Sequence, residues 1–245
     1  MDYSEYEVCI ESILQENALN TFKKHPKYNH ILEHVCDDYG YHYLRVILDF
    51  FEIPPYYVQL FGKMNDEQGN PQKTLYRELG VEISPTSLRY ICHALIILSH
   101  MKSCNLSKVN VVEVGCGYGG LALAISFFCG RFQITIDEYT CIDLPGPLKL
   151  QQQYLQGASI PLQMRFESAH TFGRNLERND YFLISNYCFS EISDDLQKKY
   201  LQILFPKCTH GFLTWNHIDV YDIGKQVTIE TEYPLTGKNN KYVRF

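Results

Sequence analysis

Two carboxylates and a run of glycines are the residues whose types and spacing carry chemistry in this chain. Glu113 interrupts the apolar run Val111-Val112-Glu113-Val114, which is followed by Gly115-Cys116-Gly117-Tyr118-Gly119-Gly120 and then by Leu121-Ala122-Leu123-Ala124-Ile125. That order reads as strand, glycine turn and helix. The glycines let backbone N–H groups approach a ligand, and the helix turns its positive end toward it. The letters satisfy G-x-G-x-x-G through Gly115, Gly117 and Gly120, and also acidic-x-G-x-G-x-G through Glu113, Gly115, Gly117 and Gly119. A carboxylate at a buried strand end is costly unless a positive group or several donors sit beside it. A pyrophosphate would repel Glu113, whereas S-adenosylmethionine brings an ammonium and a sulfonium, so S-adenosylmethionine is the expected cofactor and a dinucleotide the alternative. A second acid supports a cofactor of either kind. Tyr139-Thr140-Cys141-Ile142-Asp143-Leu144 reads as the next parallel strand, and Asp143, 24 residues beyond Gly119, stands where ribose hydroxyls need an acceptor.

The elements that must position these groups divide near residue 104. Residues 1–103 show helical periodicity: Val8, Ile10, Ile13 and Leu14, then Ile31, Leu32 and Val35, then Leu44, Val46, Ile47, Leu48 and Phe51, with breaks expected at Pro26, Gly40 and Pro54-Pro55. Ser84-Pro85 begins a further helix as cap and first position, carrying Leu88, Ile91, Leu95 and Ile96. Residues 104–245 alternate between strands and helices, which predicts an α/β Rossmann-like sheet with helices on both faces. Strands are expected over 110–114, 139–143, 161–166, 181–185 and 211–215, and helices over 148–155 and 194–204. The tail, 226–233 and 241–245 around Gly237-Lys238-Asn239-Asn240, reads as an antiparallel strand pair. The expected organisation is a helical extension over 1–103 that serves as acceptor pocket or lid, followed by a cofactor-binding domain over 104–245.

Bulk composition narrows the partners. A chain of 245 residues with 45% apolar content can bury a sizeable core, and a formal charge of −6 with no Lys/Arg block argues against nucleic acid. Nine cysteines without a C-x-x-C pair suit neither a disulfide framework nor a zinc site and predict reduced thiols. The acidic, polar start and the shortness of every apolar stretch predict a cytoplasmic protein without a membrane span.

Four stretches resemble the sugar O-methyltransferases of the class I S-adenosylmethionine-dependent superfamily. They are Ser84-Pro85-Thr86-Ser87-Leu88-Arg89-Tyr90, Val112 to Leu121, Ile142-Asp143-Leu144-Pro145, and Ile184-Ser185-Asn186-Tyr187-Cys188-Phe189-Ser190-Glu191. The likeness covers roughly residues 65–220. It implies methyl transfer to a hydroxyl of a sugar, glycan or sugar nucleotide. Glu113, Gly115, Cys116, Gly117, Tyr118, Gly119, Asp143, Leu144 and Asn186 would then hold the cofactor, with Asn186 facing the methionine end.

Methyl transfer is an in-line displacement at an activated carbon, so alignment dominates. A sugar hydroxyl also needs a base as the new bond forms, or a metal to lower its pKa. Glu191, six residues past the fourth strand, and His217, two residues past Trp215, fall at the carboxyl edge of the sheet and are the expected catalytic pair. Glu191, His217, Asp219 and Asp222 have no diagnostic metal spacing, and no metal is assigned. Arg89, Tyr90 and His93 lie on the helix after Ser84-Pro85, Arg89 and His93 sharing a face at i, i+4, and are expected to line the acceptor pocket. The alternative from a different class is a binding or regulatory protein that keeps the cofactor pocket without turnover. Nineteen tyrosines and 14 phenylalanines suit either a sugar platform or a homo-oligomer contact.

Overall fold

Strand-forming valines and helix-capping residues set the architecture of the computed structural model, which describes residues 4–245. The chain opens with α1 (Ser4–Gln15), α2 (Pro26–Leu32), α3 (Asp37–Arg45) and α4 (Pro55–Glu67), then a small hairpin of β1 (Thr74–Tyr76) and β2 (Val81–Ile83). The long helix α5 (Pro85–Ser103) follows. Its Ser84 cap accepts a hydrogen bond from the Thr86 N–H at 3.2 Å, and Pro85 occupies the first position, where its missing donor costs nothing. Pro26 and Pro55 start α2 and α4 in the same way.

Strands and helices then alternate through β3 (Lys108–Val114), α6 (Gly120–Phe128), β4 (Thr135–Asp143), α7 (Pro145–Gly157), β5 (Met164–Ser168), β6 (Tyr181–Asn186), α8 (Asp194–Ile203), β7 (Cys208–Trp215), β8 (Thr228–Thr231) and β9 (Lys241–Arg244). The seven-stranded sheet runs β5-β4-β3-β6-β7-β9-β8. β5, β4, β3, β6 and β7 are parallel, and β9 lies antiparallel to both β7 and β8. The chain leaves β3 toward β4 and β5, then returns to β6 on the other side. The resulting switch point lies at the carboxyl ends of β3, β4 and β6, the edge where ligands bind in open α/β sheets.

Alternation along β3 divides the core. Val109 and Val111 join one cluster with Leu121, Ile125 and Phe128 of α6, while Val112 and Val114 join a second with Leu183, Tyr200, Leu213 and Trp215. Ile10, Tyr28, Ile47 and Phe61 from the amino-terminal helices belong to the first cluster, so the helical segment and the sheet share one core.

Some boundaries differ from those read along the sequence. Gly40, expected to break a helix, is buried inside α3, where a Cβ would collide with the Tyr76 hydroxyl; close packing, not chain reversal, explains the glycine. β5 starts at Met164 rather than Pro161, in keeping with proline's lack of a ladder donor. α7 begins earlier than expected because Pro145 can occupy its first turn. No helix among the described residues is long and apolar enough to cross a membrane.

Candidate functional site

The glycine loop joins β3 to α6 with Gly115, Gly117 and Gly119 all in the left-handed region, at φ of 76°, 57° and 97°. Gly115 is the most constrained, because a Cβ there would land on the Cys188 side chain as well as straining the backbone. Glu113 is buried, and its Oε2 accepts from the Tyr139 hydroxyl at 2.6 Å. Burial pushes its carboxyl up to about 8, with nearby Asp143 adding to the rise against the Tyr139 bond. Asp143 is clasped by donors: Oδ1 accepts from the Leu144 N–H at 2.8 Å, and Oδ2 accepts from the Cys116 N–H at 2.9 Å and Gln151 Nε2 at 2.8 Å. Burial raises it to about 6, and those hydrogen bonds hold it lower than burial alone would. Glu113, the three glycines, Cys116, Asp143 and Leu144 therefore converge at the tips of β3 and β4.

Tyr118 points away from this cluster. Its ring is fully buried against Phe22, Tyr90 and Tyr154, and the Lys23 ammonium sits 4.3 Å from its centroid. Lys23 is itself fully buried and donates to the Asn65 carbonyl, and burial lowers its pKa to about 8 despite the attraction of Glu33 and Asp66. The loop tyrosine thus ties the cofactor loop to the amino-terminal helices.

Across the switch point, side chains distant in sequence form a directed chain. Thr214 Oγ1 donates to Asn186 Oδ1 at 2.8 Å, and the Asn186 amide reaches His93 Nδ1 at 3.1 Å. His93 Nε2 lies 3.2 Å from the Tyr187 hydroxyl, which donates to Glu232. With the hydroxyl proton committed to Glu232, His93 donates from Nε2 and accepts at Nδ1. Burial pushes His93 down to about 3, with the Arg89 charge adding to the shift, so the ring is neutral near pH 7. Glu232 is buried and also accepts from the Thr236 N–H at 2.9 Å and Asn240 Nδ2 at 3.0 Å. Arg89 lies over the Tyr90 and Tyr187 rings, 5.7 Å from each centroid, and donates to the Leu32 carbonyl at 2.9 Å.

Glu191 and His217 come together at the rim of the same edge, 4.0 Å apart. Glu191 accepts from Asn216 Nδ2, whose backbone N–H donates to Ser190 Oγ at 2.9 Å. The His217 side chain is 64% exposed, and its backbone sits at a φ of 53°. Among the described residues, Glu113, Cys116 and Cys141 bring three ligand-type atoms within 4.8 Å of one another, and the stretch from Glu191 to Asp222 forms no such group.

Gln151, Tyr187, Thr214, Asn216 and Glu232 belong to this site without having been singled out in the sequence. Tyr187 had a signal in its place next to Asn186, and Gln151 in its position two helical turns beyond Asp143. Glu232 had none, since only β9 pairing beside β7 brings that tail to the switch point.

The sheet order and its reversed β9 define the class, a Rossmann-like α/β fold. Neither a protein-family model nor a curated protein matches the sequence. Solved structures with similarity to the chain include a S-adenosylmethionine-dependent methyltransferase from Aquifex aeolicus, at 17% identity over 62% of this chain and 87% of the other, with a TM-score of 0.46. Another is from Clostridium acetobutylicum, at 14% identity over 50% of this chain and 49% of the other, with a TM-score of 0.39. A third is PKMT2 from Rickettsia typhi in complex with AdoHcy, at 18% identity, 45% of this chain and a TM-score of 0.34; the chain spans 21% of that protein's length.

Proposed function

We propose that the protein is an S-adenosylmethionine-dependent O-methyltransferase whose acceptor is a hydroxyl of a sugar, glycan or sugar nucleotide. The convergence of Glu113, Asp143 and the left-handed glycine loop at the switch point carries the cofactor half of this reading. Two features suit a nucleoside with a cationic tail. Gln151 Oε1 is a buried acceptor without a partner beside Asp143, ready for a ribose hydroxyl, and Glu113 needs a positive neighbour to hold its charge. When bound, the cofactor supplies a methyl group already activated on sulfur. The chain's own contribution is placement: Asp143 and Gln151 hold the diol, Glu113 the cationic end, and Asn186 borders the methyl.

The acceptor hydroxyl loses a proton as the new bond forms, and Glu191 and His217 at the rim are the candidate groups to take it. The sugar acceptor rests on the sequence resemblance. Calorimetric titration with S-adenosylhomocysteine tests the cofactor half, with saturable binding as the expected result. Methyl release with a panel of sugar acceptors tests the rest. Glu191→Gln and His217→Ala are each expected to cut turnover at least tenfold with cofactor binding kept. Full turnover in both variants would remove them as the base, and binding without any turnover would favour the regulatory reading.

A further inference from the structure

The amino-terminal helices occupy the switch-point side of the glycine loop. The Leu32 carbonyl, at the end of α2, is the acceptor on Arg89. Leu32 Cδ1 also sits 3.4 Å from the position a Gly117 Cβ would take, and Ile10 Cγ2 of α1 lies 3.5 Å from that of Gly146, at the first turn of α7. Burial pushes the Tyr6 phenol of α1 well up, and the nearby Asp143 carboxylate adds to the rise. The segment thus contacts the loop, the neighbourhood of Asp143 and the Arg89 guanidinium at once.

Two further features bear on how this segment is held. The seam is imperfectly matched: Gln151 Oε1 is buried without a hydrogen-bond partner, which penalises the closed form. Between α1 and α2 the chain is pinned at a point off the switch point, where Lys23 donates to the Asn65 carbonyl, its N–H donates to the Gly69 carbonyl at 3.1 Å, and its ammonium lies among the Phe22, Tyr118 and Tyr154 rings.

We propose that residues 4–33 form a strap pivoting at Lys23 that covers the switch point as an internal competitor and must swing aside for the nucleoside ligand to enter. This inference rests on the cofactor reading above. A ligand carboxylate replaces the neutral Leu32 carbonyl at Arg89, a stronger partner for a guanidinium, and ribose hydroxyls reach Asp143 and Gln151. The apparent affinity is then the intrinsic affinity scaled down by the open fraction, so weakening the strap tightens binding.

The test uses the full chain with S-adenosylhomocysteine as probe, in the wild type and in Ile10→Ser, which touches the strap's docking face and none of the ligand-holding groups. Hydrogen exchange at saturation is expected to slow at the amides of residues 115–119 and to speed up at least tenfold across α1. Ile10→Ser is expected to bind about tenfold more tightly than wild type, and binding seen only in Ile10→Ser supports the proposal equally. Slowed exchange at 115–119 with α1 unchanged or slowed, and no gain in Ile10→Ser, would overturn the strap and leave the cofactor reading standing. Failure of every chain to bind the probe would overturn both.

Discussion

At the tips of β3 and β4, backbone N–H groups and two buried carboxylates meet, whereas across β6 and β7 uncharged side chains are joined in series and end on the Glu232 carboxylate. The first edge stores electrostatic potential: Glu113 is pushed to about 8 and Asp143 to about 6, so their protonation responds to whatever binds. The second edge is fixed in composition and direction, because each donor from Thr214 to Tyr187 is committed to one acceptor and His93 stays neutral. One side of the switch point is built to answer charge, the other to hold shape.

The sharpest way to break that contrast is at Gly115. Gly115→Ala introduces left-handed strain of about 1–3 kcal/mol and drives a methyl group into Cys188, so binding of S-adenosylhomocysteine should be lost and the melting temperature should fall. Adding Cys188→Gly should recover part of the stability by removing the collision while the strain persists. Wild-type melting in the single variant would mean the close approach is not there.

Asp143→Asn removes the charge that three donors share, and hydrogen bonds to a charged group contribute about 1.5–3 kcal/mol. Calorimetry should show affinity reduced by one to two orders of magnitude, and an unchanged dissociation constant would detach Asp143 from the ligand.

On the neutral edge, His93→Leu leaves the Asn186 amide without an acceptor and Tyr187 without a donor, a cost of about 1–3 kcal/mol at pH 7 in denaturant unfolding. Its pH dependence has a definite sign. The unfolded imidazole takes up a proton below 6.5 while the folded one resists until about 3, so wild-type stability falls as pH drops through that window. The variant's deficit should therefore shrink toward pH 4, and a deficit that grows in acid would place a charged His93 in the fold.

Within the single pH unit below 8, the smallest effect belongs to Glu113. Since its folded pKa is raised from 4.5 to about 8, the stabilising contribution of the protonated form is complete below the ordinary carboxylate range and is lost as pH rises through 8. A cation binds the ionised form, so affinity for S-adenosylmethionine should climb by up to about tenfold per pH unit toward 8 and then level off. Glu113→Gln should flatten the profile; a flat wild-type profile would separate Glu113 from the cationic end.

The same contrast decides how much could be read in advance. The glycine loop and both acids were legible because their constraints are local: positive φ demands glycine, and an acid at an apolar strand end is conspicuous within ten residues. Arg89 and His93 were legible as neighbours on one helix face, but the partner of His93 was not, since Tyr187 lies 94 positions away and Glu232 a further 45. Tyr118 shows the limit from the other side. Its place inside the loop suggested a ligand contact, yet the Phe22–Lys23 segment, remote in sequence, draws the ring into the core.

What the sequence determined by itself is the alternation of strand and helix, the loop after β3 and the acids beside it, because periodicity, capping and backbone sterics act over a few residues. The tertiary structure alone decided that β9 inserts between β7 and β8, that Glu232 thereby meets Tyr187, and that residues 4–33 lie over the switch point. Those arrangements come from burying surfaces that meet only after the chain has folded, and no local pattern encodes which distant surface each will find.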